Sequence, residues 1–238
     1  MINYGQILNN PDSLRRQFDA AKPYRHLIFE NFLETGVTES ILATFPTSEK
    51  MNIKDNKESL KLYLRDLHKL NPAVKSVFDE FASERFLKAL SQITGIPGLQ
   101  ADPYIEGAGL HQGANGSFLN IHADFNFHEK LQMHRRLNIL IYFNKDWKYE
   151  YNGYLEAWDK ELKFCKMIKP SFNRCVLIET TETSYHGYLK LNVPDGVTRK
   201  SLATYFYTLT RPAEEIAPPH STLWQKRPEK YDVEIINY

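Results

Sequence analysis

His122 and Asp124 stand two residues apart at the end of a run of strand-forming residues, Phe118 to His122. On a β-strand, side chains at positions i and i+2 point to the same face, so this imidazole and this carboxylate would converge on one point. Both groups bind transition-metal ions, but two ligands do not make a site. His186, in a later strand-like run, is the best candidate for a third ligand.

Two histidines and one carboxylate on one side of a metal ion leave three coordination positions open. This arrangement is the facial triad of non-heme Fe(II) oxygenases. The His-x-Asp pattern is weak by itself, because such a pair also arises by chance and can form a solvated face or a simple hydrogen-bonded pair. The metal chemistry therefore needs support from elsewhere in the chain.

Arg199 and Ser201 supply that support at the start of another predicted strand. An Fe(II) oxygenase that uses 2-oxoglutarate must hold the far carboxylate of this co-substrate, and a planar guanidinium offers that carboxylate two parallel donors. Ser201 lies on the same strand face as Arg199 and can add a third donor. The alternative for Arg199 is an ordinary surface residue.

Short strands must position these residues. Turn residues such as Asn152-Gly153 and Pro194-Asp195-Gly196 separate several runs of strand composition in the second half of the chain. The runs are Phe118 to His122, Leu137 to Phe143, Tyr154 to Trp158, Phe164 to Ile168, Cys175 to Glu179, Thr183 to Tyr188 and Leu202 to Leu209. Many short strands with no long helix between them predict an antiparallel sandwich or barrel. The clustered glycines from Gly107 to Gly116 predict loop and hairpin structure.

Helix signals dominate the first hundred residues. Asn10-Pro11 and Asn71-Pro72 each place a capping side chain before a proline at the first helical position, and Ser83 can cap a further helix. Gly95 followed by a proline two positions later is a stop signal. The Lys-, Asn- and Glu-rich stretch from Lys50 to Lys69 predicts a surface segment that is partly helical.

Charge and composition exclude several classes of function. Lys and Arg number 30 and Asp and Glu 29, a balance that excludes a strongly basic nucleic-acid binder. The longest apolar runs are too short to cross a bilayer, and the first residues lack the pattern of a signal peptide. We therefore expect a cytoplasmic protein without a nucleic-acid or membrane partner. Cys165 and Cys175 are expected to be reduced thiols, with a disulfide between them as the alternative.

Three blocks of this sequence resemble the prolyl-4-hydroxylase-like branch of the 2-oxoglutarate/Fe(II) dioxygenases. The blocks are Leu110 to His128, Arg136 to Trp147 with Gly153 to Glu156, and Tyr185 to Gly187 with Arg199 to Leu202. The resemblance runs from about Ser83 to Arg211. It implies an α+β, mainly β fold: a double-stranded β-helix, or jelly-roll, core with N-terminal helices packed on it.

The resemblance also implies roles for individual residues. His122, Asp124 and His186 match the Fe(II) ligands, and Arg199 matches the basic residue for the far carboxylate of 2-oxoglutarate. Tyr142 matches a tyrosine whose hydroxyl reaches the same carboxylate; its alternative is a core aromatic. The remaining candidates for binding the co-substrate are Ser201, Asn138 and Gln112. Asn138 shares the strand parity of Tyr142, although an inward Asn can instead tie two strands together; Gln112 stands near a position that is a tyrosine in some relatives.

We interpret the chain as a single catalytic domain over 1–238. Residues 1–100 are expected to give mostly helical support and a substrate-facing segment, 101–211 the β-helix core, and 212–238 an irregular C-terminal wrap. His111, His128 and His134 are expected at the pocket rim or the surface. Met51 to Lys69 and Phe125 to Arg135 are the expected substrate selectors, and Arg135 or Arg136 could meet an anionic substrate at the pocket mouth.

The expected activity is hydroxylation of an unactivated C–H bond with Fe(II), 2-oxoglutarate and O2, supported by ascorbate. A carboxylate ligand at Asp124 favours hydroxylation, because related halogenases have a small residue there. A peptidyl proline is the substrate implied by the resemblance, and a free amino acid, a sugar or a carrier-linked metabolite is the alternative. A catalytically silent cupin-like module that binds a small molecule is the alternative of another class. The sequence does not define the oligomeric state.

Overall fold

The computed structural model describes residues 1–66 and 68–237. Within them the α-helices are α1 Gly5–Leu8, α2 Pro11–Ala20, α3 Thr35–Ala43, α4 Pro72–Phe81 and α5 Glu84–Thr94. The strands are β1 His26–Phe29, β2 Asn52–Asn56, β3 Ser59–Leu64, β4 Gln100–Ala101, β5 Gly109–Gly113, β6 Phe118–Ala123, β7 Phe127–His128, β8 Met133–Tyr142, β9 Leu155–Trp158, β10 Phe164–Ile168, β11 Cys175–Glu179, β12 Tyr185–Tyr188, β13 Arg199–Thr208, β14 Leu223–Trp224 and β15 Asp232–Ile236.

The strands form one curled sheet. Along its main path the order is β1, β11, β8, β13, β5, β3, β6, β12, β9, β10, β15. Neighbouring strands are antiparallel, apart from β15, which lies parallel to β10. The antiparallel pairing of β6 with β12 sets His122 directly opposite His186. The long pair β8 and β13 sets Tyr142 opposite Ser201.

Three helices, α2, α4 and α5, begin where their capping residues predict. The side chains of Asn10, Asn71 and Ser83 accept hydrogen bonds from backbone N–H groups in the first turns of α2, α4 and α5. Gly95 ends α5 with φ of 62°, a left-handed conformation that glycine adopts without strain. The buried faces of α4 and α5 pack on the sheet. Phe206 of β13 lies 6.2 Å from the Phe81 ring and 5.9 Å from the Phe86 ring, measured between ring centroids.

The prediction that the segment from Lys50 to Lys69 is partly helical is wrong. Apart from a single 3-10 turn at Ser48–Lys50, the described part of this segment is a β-hairpin of β2 and β3, and Leu67 lies outside the described residues. Asn56 shapes the hairpin turn, because its side chain accepts from the backbone N–H groups of Glu58 and Ser59 at 2.9 Å. The strand β3 is then inserted between β5 and β6.

Two further segments differ from the prediction. The glycine-rich stretch contains the strand β5, in which Gly109 has φ of 105° and approaches β3 so closely that a Cβ atom would lie 2.3 Å from the Leu64 carbonyl oxygen. This close approach explains a glycine within a strand. The C-terminal wrap is not wholly irregular, because it contributes β14 and β15 to the sheet; its last residue, Tyr238, lies outside the described residues.

Two further findings concern the cysteines and the lengths of the helices. Cys165 and Cys175 are both buried and free, as expected. None of the helices in the described chain is long and apolar enough to cross a membrane.

Candidate metal centre and adjoining pocket

Three side chains predicted as metal ligands lie together at the β6–β12 pair. His122 belongs to β6, Asp124 follows this strand directly, and His186 belongs to β12. One ligand atom from each residue lies within 4.8 Å of the other two. The Nε2 atoms of His122 and His186 are each 3.5 Å from a carboxylate oxygen of Asp124. The pairing of these two strands therefore forms a three-ligand cluster.

Both imidazoles are oriented with Nε2 toward the cluster. The Nδ1 atom of His122 lies 2.9 Å from the Asn120 carbonyl oxygen, and that of His186 lies 3.0 Å from the Ser184 carbonyl oxygen. A carbonyl oxygen only accepts, so each Nδ1 carries a proton, and Nε2 is the ring nitrogen presented to a metal ion. Burial, with the neighbouring His122, lowers the pKa of His186 to about 4. The donor set of two imidazoles and one carboxylate fits Fe(II).

A buried guanidinium and an amide hold the Asp124 carboxylate. Its Oδ2 atom accepts from Arg135 at 2.9 Å and from Asn138 at 2.7 Å. The Asn138 amide oxygen in turn accepts from Arg135 Nε at 3.0 Å, and the Arg135 guanidinium lies 3.5 Å from the centre of the Tyr205 ring. Burial alone would raise the pKa of Asp124, but Arg135 and His186 lower it well below its usual range. The carboxylate therefore stays ionised, as a metal ligand must.

The eight residues predicted for metal and co-substrate binding all line one cavity, which we call the metal pocket. They are His122, Asp124, His186, Arg199, Tyr142, Ser201, Asn138 and Gln112. Asn138, Leu140 and Tyr142 all face the pocket, as their shared parity on β8 predicts.

Arg199 lies buried at one wall of the metal pocket. Its Nε atom donates to the Gly153 carbonyl at 2.7 Å, and its terminal nitrogens have no hydrogen-bond partner among the described residues. The guanidinium lies 5.0 Å from the centre of the Tyr142 ring. The Tyr142 hydroxyl is buried without a hydrogen-bond partner in the described chain. Two unused donors side by side in a cavity fit an anionic acceptor such as a carboxylate.

The other predicted co-substrate residues differ in what their side chains contact. Ser201 is buried opposite Tyr142 and lines the same wall. Gln112 donates to the Ser48 hydroxyl at 3.2 Å, while its amide oxygen has no partner among the described atoms. The Asn138 amide is engaged with Asp124 and Arg135. Asn138 therefore positions the carboxylate ligand, whereas the sequence predicted that it contacts the co-substrate.

Sequence reasoning missed the role of Arg135 for a structural reason. A β-bulge interrupts the pairing of β8 with β13, so that Leu137 pairs with Phe206 but Arg135 pairs with Tyr207. The bulge shifts the side-chain alternation by one residue and turns Arg135 to the face that carries Asn138. A strict alternation from Asn138 would have put Arg135 on the opposite face.

Two more residues reach the site without having been predicted. The ring of Trp224, on β14, lies 4.9 Å from the His122 ring, because β14 pairs with β6 at His122 and Ala123. Lys61 lines the metal pocket from β3, the strand that lies between β5 and β6. Of these two residues, only Lys61 lies in a segment, Met51 to Lys69, that the sequence predicted to select the substrate.

The three histidines expected at the rim or the surface have different environments. His111 lines the metal pocket, and His134 is partly buried. His128 is fully buried, which contradicts the prediction. Its Nε2 atom lies 3.4 Å from an Asp102 carboxylate oxygen, and its ring packs edge-on against Tyr207. Trp147 and Trp158 are buried in an apolar cluster.

Comparison with known proteins identifies one matching family profile and several similar folds. The profile of the 2OG-Fe(II) oxygenase superfamily matches residues 108–207. No curated protein matches the sequence. Among solved structures, a Pseudomonas putida prolyl-4-hydroxylase is similar at a TM-score of 0.63 and 14% identity, over 83% of this chain and 98% of that one.

Two further structures carry bound ligands. A Trichoplax adhaerens prolyl hydroxylase in complex with a hypoxia inducible factor peptide fragment is similar at a TM-score of 0.56 and 13% identity, over 85% of this chain and 90% of that one. Streptomyces hygroscopicus HygX with nickel, 2-oxoglutarate and hygromycin B bound is similar at a TM-score of 0.52 and 12% identity, over 83% of this chain and 92% of that one. At such identities the likeness is one of fold, and it confirms the double-stranded β-helix.

Proposed function

We propose that this chain, which belongs to the 2OG-Fe(II) oxygenase superfamily through residues 108–207, hydroxylates an unactivated C–H bond of its substrate. Fe(II) and 2-oxoglutarate are its cofactor and co-substrate. His122, Asp124 and His186 would hold the iron, and Arg199 with Tyr142 and Ser201 would hold the far carboxylate of 2-oxoglutarate. Bound iron supplies, with 2-oxoglutarate and O2, the oxidising power for hydroxylation, and the co-substrate leaves as succinate and CO2.

One observation carries this proposal: the unpartnered Tyr142 hydroxyl beside the Arg199 guanidinium, in the cavity that also holds the ligand cluster. A buried hydroxyl without a partner is costly unless a ligand satisfies it. Arg199 is fixed through Nε by Gly153, so its terminal nitrogens are oriented before the co-substrate binds. Preorganised donors of this kind lose little entropy on binding.

The remaining residues of the site position its ligands. Arg135 and Asn138 fix one oxygen of Asp124, and the carbonyls of Asn120 and Ser184 fix the two imidazole rings. Each ligand is therefore held before metal binds, which raises metal affinity. The presence of all these groups argues against the catalytically silent binding module.

For the primary substrate we propose a residue of a peptide or protein, with proline first. The fold likeness to prolyl hydroxylases, one of them bound to a peptide fragment, supports this choice. The second candidate is a small metabolite, which the likeness to HygX with hygromycin B bound favours.

The test is an aerobic assay with Fe(II), 2-oxoglutarate and ascorbate. Succinate would be measured, and products heavier by one oxygen would be sought by mass spectrometry in peptide and metabolite mixtures. We expect succinate and an oxygenated product that Asp124→Ala does not form. Absence of succinate under every condition would support the binding module, and oxygenated metabolites without oxygenated peptides would support the second candidate.

A further inference from the structure

A second cavity adjoins the metal pocket and has a cationic lining. It shares Lys61 and His111 with the metal pocket and extends outward past Tyr63. Lys54, Lys61 and Arg65 line it, and we call these three residues the cationic wall. No acidic side chain of the described residues lines this cavity. A molecule that reaches the metal pocket from this side passes the cationic wall.

The β2–β3 hairpin brings the three cations to one face. Lys54 on β2 pairs directly with Lys61 on β3, and Arg65 follows the end of β3 at the same parity as Lys61. The Lys54 ammonium lies 5.9 Å from the Trp224 ring, which itself packs on His122. Contacts from Lys54 to Trp224 and from Trp224 to His122 thus connect the cationic wall to the metal centre.

This arrangement is unfavourable as long as no anion is bound. Like charges directly opposite on paired strands destabilise the pair. Among the described residues, no carboxylate lies within 4 Å of the charged groups of Lys54, Lys61 or Arg65. Burial, with the neighbouring Lys54, lowers the pKa of Lys61 to about 8. The Asp124 carboxylate acts in the opposite direction but forms no ion pair with Lys61, so the partly buried ammonium has no direct counter-charge among the described residues, which is costly, and a bound anion would remove that cost.

The anions already assigned to the site do not satisfy Lys61. The Asp124 carboxylate is engaged by Arg135 and by the metal position. The far carboxylate of 2-oxoglutarate is assigned to Arg199 and Tyr142. Lys61 can therefore bind an anion other than the Asp124 carboxylate and 2-oxoglutarate.

We propose that Lys61, with Lys54 and Arg65 at the entrance, binds a carboxylate of the primary substrate. The substrate class is then a carboxylate-bearing molecule whose acid group lies near the hydroxylated carbon. This inference rests on the proposed function. The carboxylate can belong to an acidic side chain beside the target residue of a peptide or to a free amino acid, and the recognition chemistry is the same.

The experiment compares carboxylates with their matched amides. One arm uses short peptides with each standard residue at the centre, flanked by Glu or by Gln. The other arm uses free amino acids and their C-terminal amides. Stimulation of succinate formation by the Fe(II)- and 2-oxoglutarate-loaded protein is the readout, with mass spectrometry to identify the product. The arm that responds identifies the source of the carboxylate.

We expect the carboxylate member of a responding pair to act at about ten- to a hundredfold lower concentration than its amide. In Lys61→Met this ratio should fall toward one, and Lys61→Arg should retain part of it. Lys57→Met is the matched control, because Lys57 lies at the tip of the same hairpin with its side chain 90% exposed; there the ratio should be unchanged.

Equal stimulation by acids and amides, or silence in both arms while succinate still forms without substrate, would overturn the inference and leave the proposed function intact. A Lys61→Met variant that loses 2-oxoglutarate affinity with no change in the ratio would also overturn it, by assigning Lys61 to the co-substrate. No succinate at all would remove the proposed function itself. The wild-type ratio decides the question even if Lys61→Met does not fold.

Discussion

Arg135 and Asp124 form a buried ion pair in which the guanidinium donates to Oδ2 of the carboxylate at 2.9 Å. Asn138 donates to the same oxygen at 2.7 Å. The Oδ1 atom, which faces Nε2 of His122, receives neither of these two donors. The pair therefore fixes the orientation of the carboxylate while one oxygen stays available to a metal ion.

We expect Arg135→Met to weaken metal binding about ten- to a hundredfold, because the carboxylate loses the group that orients it. Removing one partner of a buried pair should also lower the free energy of unfolding of the metal-free protein by about 3–5 kcal/mol. Calorimetric titration with Mn(II) and urea denaturation measure the two effects. Arg136→Met is the control, since the Arg136 side chain pairs with Glu215 away from the ligands. Equal metal affinity in both variants would contradict the role assigned to Arg135.

Asp124→Ala should abolish tight Fe(II) binding, because only two protein ligands remain. The rise in Tm that Mn(II) gives the wild-type protein should then disappear. His186→Ala should behave alike. Full hydroxylase activity in Asp124→Ala would rule out the assigned ligand set.

Arg199→Ala should lower the affinity for 2-oxoglutarate by roughly 2 to 4 kcal/mol, or about thirty- to a thousandfold, because a charge-assisted contact is lost in a buried pocket. Metal affinity without co-substrate should hardly change. Arg199→Lys keeps the charge without the planar fork and should fall between the two. Anaerobic titration of the Fe(II) protein, followed by the visible band of the 2-oxoglutarate chelate, measures the midpoint. An unchanged midpoint in Arg199→Ala would place the carboxylate elsewhere.

The Tyr142→Phe variant distinguishes a role of the Tyr142 hydroxyl in binding 2-oxoglutarate from a role in the stability of the fold. This hydroxyl has no partner in the described chain, so its removal breaks no hydrogen bond of the free protein and should leave the free energy of unfolding unchanged or slightly higher. Affinity for 2-oxoglutarate should fall by about 1.5–3 kcal/mol, the usual net value of one hydrogen bond to a charged group. A loss of stability without a loss of affinity would identify Tyr142 as a core aromatic only.

Arg227 attaches the C-terminal segment to the sheet. It donates to both carboxylate oxygens of the fully buried Glu156, each at 2.6 Å. Arg227→Met should cost about 3 kcal/mol of unfolding free energy, because a buried carboxylate loses its counter-charge. The double variant with Glu156→Gln should recover part of that loss. Urea denaturation of the two single variants and the double variant measures the coupling, and additive effects would contradict a direct pair.

The sequence predicted the His122–Asp124 part of the ligand cluster because that information is local, whereas His186 joins the cluster through the pairing of β6 with β12. The spacing of His122 and Asp124 and the parity of Asn138 and Tyr142 follow from the geometry of one strand. The helix caps at Asn10 and Asn71 are equally local, since each contacts a backbone group three residues later.

The errors came where pairing at a distance decides the structure. The β2–β3 hairpin is rich in charged residues and becomes stable only because β3 is inserted between β5 and β6. The bulge that redirects Arg135 depends on the register with β13. Trp224 reaches His122 through a strand of two residues in a proline-rich segment, for which local sequence gives no strand signal.

The position of β14 has a consequence for how the protein acquires its metal. A chain is synthesised from its N-terminus at about 5–20 residues per second, so Trp224 emerges from the ribosome roughly 2 to 8 s after His186. During that interval all three ligands exist on a nascent chain that still lacks the Trp224 ring beside His122. Divalent ions that bind nitrogen ligands more tightly than Fe(II), such as copper and zinc, then have their easiest access. The metal that a freshly made molecule carries is therefore expected to depend on which ions surround the ribosome, as well as on the finished site.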